Sequence, residues 1–146
     1  MRLIFTAIIL TMFAQPGWAD TTNRTKQFSP VPGIFVGGVG LACQSKETLA
    51  KEPLAQFLLL TKDRKKIGIA KFEDDDVTYE FRVVTKTTPR HYITHNEDLD
   101  PKKLVLNRQD LSLISDRDYI CQSMSISNLH KMAENHLRAL LSENKI

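Results

Sequence analysis

Val77-Thr78-Tyr79-Glu80-Phe81-Arg82-Val83 alternates apolar and polar residues without a break. Side chains of a strand point to opposite faces at every step, so a strict two-residue period marks a half-buried β-strand. The neighbouring stretches read the same way. Glu73-Asp74-Asp75-Asp76 is a charged tip, and before it Ile67-Gly68-Ile69-Ala70-Lys71-Phe72 is a second strand. Lys62-Asp63-Arg64-Lys65-Lys66 is another charged tip, and Phe57-Leu58-Leu59-Leu60 before it is an apolar run suited to burial on both faces. Nearer the N-terminus, Val39, Leu41 and Cys43 alternate with Gly40, Ala42 and Gln44. Toward the C-terminus, Arg90 to Thr94, Leu104 to Leu106, Leu111 to Ile114 and Tyr119 to Cys121 complete about eight short strands. The turn-rich segments Asn107 to Asp110 and Asp116 to Asp118 separate the last three. Strands at intervals of about ten residues predict a mainly β fold, a small antiparallel sandwich or barrel.

The period changes after Cys121. Ile126, Leu129, Ala133, Leu137 and Leu140 recur at three and four residues, with Lys131, Glu134, Asn135, Arg138 and Ser142 opposite. This predicts a C-terminal amphipathic helix over 126–143, capped by Ser125 or Ser127 and packed on the sheet. The chain thus divides into an export signal over 1–19, a polar N-terminal segment over 20–36, and one β-rich domain over 37–146 ending in that helix.

Met1-Arg2, the apolar run Leu3 to Ala14, Pro16 and Gly17-Trp18-Ala19 follow the three-part plan of a secretory signal, with cleavage between Ala19 and Asp20. The run is shorter than the roughly 20 apolar residues of a membrane span. The expected compartment is therefore the periplasm or the extracellular space, with no membrane span in the mature chain. In such an oxidising place Cys43 and Cys121 pair most simply with each other, tying the first strand to the last. Asn23-Arg24-Thr25 is a glycosylation sequon that only a eukaryotic host would use.

Lys+Arg is 20 and Asp+Glu is 17 over 146 residues, and the mature chain carries +2. That balance does not announce a nucleic-acid binder. Candidate chemistry is sparse. Gly33 to Gly40 lacks the spacing of a dinucleotide loop and reads as a bend before the first strand. His91 and His95, four apart in a strand or loop context, would stand roughly 13 Å apart on a strand, too far to share a metal. His130 falls inside the helix stripe as a satisfied boundary residue, and His136 at its edge as an exposed one. Ser112, Ser115, Ser123, Ser125 and Ser127 form no Gly-x-Ser-x-Gly turn. Asp74 to Asp76 reads as a solvated turn without a calcium-loop glycine. Lys62 to Lys66 reads as a soluble hairpin tip, or as a contact for an anionic polymer. No catalytic residue, metal site or cofactor is assigned.

Leu104-Val105-Leu106-Asn107-Arg108-Gln109-Asp110-Leu111-Ser112-Leu113 followed by Tyr119-Ile120-Cys121 resembles a pattern in small exported bacterial β proteins of unknown function. There an Asn/Asp-Arg turn joins two short strands and a Tyr-x-Cys strand pairs back to an early cysteine. The resemblance covers about a third of the mature chain and implies a fold and a compartment. The C-terminal helix is an addition to that pattern. In size, compartment and single bridge the chain is also similar to periplasmic C-type lysozyme inhibitors, which are small antiparallel barrels. It lacks their Ser-Gly-Ser-Gly-like inhibitory segment. The reading of function is an exported, non-enzymatic binding or interaction protein with an unknown protein or cell-envelope partner. The alternatives are a carrier of a small apolar ligand in a barrel interior lined by Phe57, Leu59, Tyr79 and Phe81, or an inhibitor of an exported hydrolase such as lysozyme.

Overall fold

A computed structural model describes residues 27–46 and 55–143. The expected export signal, its expected cleavage between Ala19 and Asp20, and the Asn23 sequon lie outside those residues. A short 3-10 helix, η1 (Gly33–Phe35), precedes eight strands: β1 (Val39–Ser45), β2 (Ala55–Leu60), β3 (Lys66–Glu73), β4 (Asp76–Thr87), β5 (His91–His95), β6 (Lys103–Asn107), β7 (Ser112–Ile114) and β8 (Asp118–Met124). One helix, α1 (Ile126–Glu143), follows. Each strand pairs antiparallel with the next, and β1 pairs with β8, closing the barrel. At that seam Cys43 lies directly opposite Cys121, and the two form a disulfide.

The barrel buries apolar side chains on both faces, which gives it two cores. Inside lie Leu41, Leu58, Leu60, Ile67, Ile69, Leu104, Leu106 and Leu113 with the disulfide. Outside, α1 lays Leu129, Ala133 and Leu137 against Phe57, Leu59, Val77 and Tyr79. The Phe57–Leu60 run is therefore buried on both faces, as its composition predicts, with alternate residues in different cores.

This arrangement corrects the expected lining of the interior. Phe57, Leu59, Tyr79 and Phe81 all sit on the outer face. Phe81 and Val83 even remain 48% and 59% exposed, beyond the reach of α1. The physical reason is the helix, whose apolar stripe needs a sheet face, and the outward residues of β1 to β4 supply it. Two glycines allow the close fit. A Cβ on Gly40 would stand 2.5 Å from Leu129 Cβ, and one on Gly68 would stand 2.5 Å from the Phe35 ring.

The segment before β1 belongs to the outer core. Phe35, in the bend before β1, is fully buried, and Phe28 and Val31 of the polar N-terminal segment pack against the same core. Asp76 holds this segment by accepting from the Ser29 amide at 2.9 Å and from the Ser29 hydroxyl. The acidic tip is thus an anchor at Asp76 as well as a turn, with Asp74 and Asp75 at positive φ. From the helix, His130 Nε2 donates to the Ser29 carbonyl at 3.0 Å. A carbonyl only accepts, so Nε2 carries the hydrogen and Nδ1 accepts from the Tyr79 hydroxyl at 2.7 Å. His130 is satisfied, as expected of a boundary histidine. His136 departs from expectation: it is half-buried, its ring centroid 5.4 Å from that of Phe57 and 5.2 Å from that of Phe72. Ser125 is the helix cap, accepting from the Asn128 amide at 3.2 Å.

Burial, and after it the Glu134 carboxylate, push the Tyr79 hydroxyl well above its ordinary 10.0. A raised folded value contributes stability below the unfolded value of about 10, and that contribution is lost as pH climbs above it. In an ultraviolet titration Tyr79 is therefore expected to ionise together with loss of the barrel's circular dichroism. Tyr79→Phe should remove that coupled step. Ionisation of all three tyrosines in the folded state would contradict this.

Candidate functional site

The two ends of the barrel differ. At one end the 96–102 connection is held by a buried charge. Arg82 is on the inward row of β4 and only 2% exposed. Its Nε donates to Glu80 Oε1 at 2.9 Å, its Nη2 to the Asp100 carbonyl at 3.2 Å, and its Nη1 to the Pro101 carbonyl. The guanidinium therefore fastens the β5–β6 connection to the wall.

The other end is open. A cup of about 260 Å³ is lined by Val39, Leu41, Leu60, Tyr92, Leu106 and Leu111, with Arg64, Arg108 and Ser123 also in its wall. Its floor is the top of the inner core. These residues come from the starts of β1 and β5, the ends of β2, β6 and β8, and the β2–β3 and β6–β7 turns. Two larger depressions, one along Val31–Gly38 beside Ser125–Ser127 and one on the Met124–Asn135 face, are flatter and more open to solvent.

Local chemistry aims the two turns at the cup. Asn107 Oδ1 accepts from the amides of Gln109 at 2.8 Å and Asp110 at 3.2 Å, an Asx turn. The chain then passes through Leu111 at φ 59, a left-handed conformation that costs a leucine about 1–3 kcal/mol. Two backbone bonds hold it there: Leu111 N to the Asn107 carbonyl at 3.1 Å, and Cys121 N to the Leu111 carbonyl at 3.0 Å. The Leu111 side chain packs against the inner core. Arg64 is likewise left-handed, at φ 62, in the β2–β3 turn. Both are cup residues, while the other two non-glycine residues at positive φ, Asp74 and Asp75, form the β3–β4 tip at the opposite end.

The guanidinium groups rest on neutral partners. Arg64 Nη1 donates to the Thr61 carbonyl at 2.9 Å. Arg108 Nη1 donates to the Thr88 carbonyl at 2.8 Å, and Arg108 Cζ lies 4.6 Å from the Tyr92 ring centroid. The two carboxylates of the same turns are engaged by other donors. Asp63 accepts from the Thr61 hydroxyl at 2.7 Å and the Lys65 amide at 3.0 Å. Asp110 accepts from the Ser112 hydroxyl at 2.7 Å and the Ser112 amide at 2.8 Å. These bonds, the hydroxyl one first in each case, hold both carboxyls below the usual carboxylate range. Among the described residues neither Arg64 nor Arg108 has an acidic partner.

Charge is sorted along the barrel axis. The three connections at the open end carry Lys62, Arg64, Lys65, Arg90 and Arg108 against Asp63 and Asp110. Of the connections at the other end, the three wholly within the described residues carry Asp74, Asp75, Glu97, Asp98, Asp100 and Asp116 against Lys102 and Arg117.

The chain matches no protein-family model, no curated protein and no solved structure.

Of the residues singled out in the sequence, Ser123 lines the cup, while Ser112 serves Asp110 and Ser125 caps α1. His91 and His95 stand at opposite ends of β5, with His95 Nε2 2.7 Å from Glu97 Oε1. The basic tip and the Asn-Arg turn, both visible as motifs, meet at the cup through Arg64 and Arg108. Arg82 is hidden in the sequence by its place among the polar residues of an alternating strand. No helix of the described residues is long and apolar enough to cross a membrane.

Proposed function

We propose that this chain is an exported, non-enzymatic binding protein that takes a small apolar group into the open end of its barrel. One observation carries the reading: a cup of about 260 Å³ with an apolar floor, at the unplugged end of a barrel otherwise filled by side chains. Its size lies just under the roughly 300–1,000 Å³ typical of drug-sized ligands, so the guest is small. The left-handed backbone of Leu111 supports the reading, because a leucine stays in that conformation only where the surrounding structure enforces it. The disulfide fits an oxidising compartment.

The test is a titration with 1-octanol, a neutral apolar probe, followed by amide and methyl NMR. Saturable shifts are expected at Leu41, Leu106 and Leu111, and not across the α1 face. Leu106→Trp, which fills the cup, should abolish them while the spectrum stays that of a folded barrel. Absence of any saturable shift in the unaltered protein would overturn the reading.

A further inference from the structure

We infer that the ligand of the cup is an amphipathic anion, a small organic carboxylate whose apolar body enters the barrel and whose head meets Arg64 and Arg108. The inference rests on the reading of the cup as a binding site and adds the chemistry of its guest.

The apolar floor by itself would accept any small hydrophobic body. The wall is more specific. Two guanidinium groups border the cup, and each is already aligned by a single backbone carbonyl, Thr61 for Arg64 and Thr88 for Arg108. Each keeps further N–H donors, because a guanidinium has five and a carbonyl takes one or two of them. Arg108 is additionally stacked over Tyr92, which limits the positions it samples.

Among the described residues no carboxylate forms an ion pair with either arginine. Asp63 and Asp110 are the acids of the same turns, and both are bound to hydroxyls and amides of their own turns. A planar fork of donors beside an apolar wall is matched by a carboxylate on an apolar body, which accepts in parallel from such a fork. A cation at the same place would meet repulsion, and a neutral alcohol would leave donors unused.

The wider field agrees. The basic connections ring the open end and the acidic ones lie at the closed end. A charge separation of this kind steers an anion toward the cup and turns away a cation. The Ser123 hydroxyl, on the inward row of β8 and in the wall of the cup, adds a neutral donor.

The decisive experiment compares three probes of equal chain length by calorimetric titration: octanoate, 1-octanol and octylammonium. Octanoate is expected to bind at least tenfold tighter than octanol, with octylammonium weakest. Arg108→Gln and Arg64→Gln should each reduce the octanoate advantage severalfold, read as the ratio of octanoate to octanol affinity within the same variant. Because Arg108 also holds the Thr88 carbonyl, the thermal unfolding of each variant is recorded without ligand. If Arg108→Gln does not fold, Arg64→Gln decides the outcome alone. The octanoate advantage should also shrink in 1 M salt, where the screening length falls to about 3 Å. Equal affinity for octanoate and octanol would overturn the anion assignment and leave the apolar cup standing. Failure of all three probes to bind would overturn both.

Discussion

Removing the Cys43–Cys121 bridge is expected to lower the stability of the barrel by about 4 kcal/mol. The two cysteines are 78 residues apart in sequence, so the bridge closes the chain from β1 to β8 into one loop. In the chain-entropy view most of the effect lies in the unfolded state, which the bridge keeps from exploring open conformations. Its position adds a native-state effect. It spans the β1–β8 seam, where the first and last strands must meet to close the barrel. Pairing elements so far apart in sequence is the costliest step of loop closure. The measurement is a denaturant midpoint for the oxidised protein against the Cys43→Ala, Cys121→Ala double variant, with the slopes compared. A loss of several kcal/mol is expected, with hydrogen exchange rising earliest along β1 and β8. A loss under about 1 kcal/mol would mean that the other ladders alone close the barrel, at the low end of what bridges contribute.

Arg82→Ala is expected to cost about 3–5 kcal/mol, the range for removing one partner from a buried charged network. Three effects combine. The Asp100 and Pro101 carbonyls lose their donor, Glu80 loses its near partner, and the barrel interior gains a cavity. The partner acid is only part-buried, with the more distant Lys71 at 3.9 Å, so the penalty falls mainly on the connection that Arg82 fastens. The Arg82→Met, Glu80→Gln pair keeps most of the volume without the charges, and it should recover much of the loss, since apolar replacement of a whole buried pair is often neutral. Thermal unfolding of the three proteins decides it. If Arg82→Ala melts within a degree or two of the parent, Arg82 does not anchor the closed end. Because the cup is at the other end, ligand affinity per folded molecule should be unchanged.

The bridge and Arg82 differ in how readable they are. The bridge is legible from two cysteines, each within a strand-like context, in a chain whose first residues read as an export signal. Arg82 is not. In Val77 to Val83 the alternation is plain, yet alternation only separates two faces and does not say which is inside. The rule that apolar residues face the core assigns Phe81 inward and Arg82 outward. The protein does the reverse, because α1 and Phe35 make the outer face a second core and because a carbonyl-lined pocket receives the guanidinium. The same reversal moves Phe57, Leu59 and Tyr79 out of the barrel.

The candidate site divides along similar lines. Its two turns are legible as turns, since Asn107, Asp110, Asp63 and the lysines around Arg64 carry the composition of tight, solvated connections. That Arg64 and Arg108 border one cup is not legible. They are 44 residues apart, and only the closed barrel brings them to the same end. Nor does the sequence announce that Asp63 and Asp110 are held by hydroxyls and amides close to them in the chain, so that neither pairs with Arg64 or Arg108.

The sequence by itself determined the local matters. Eight strands and one helix follow from periodicities of two and about three and a half, because each element carries its own pattern in adjacent residues. The helix cap, the hairpin tips and the cysteine pair also follow from nearby residues or from a compartment. Only the tertiary structure decided that the sheet closes, which face of each strand is inside, and where charge gathers. Those properties belong to residues from β1 through β8 meeting in space, and no window along the chain contains them.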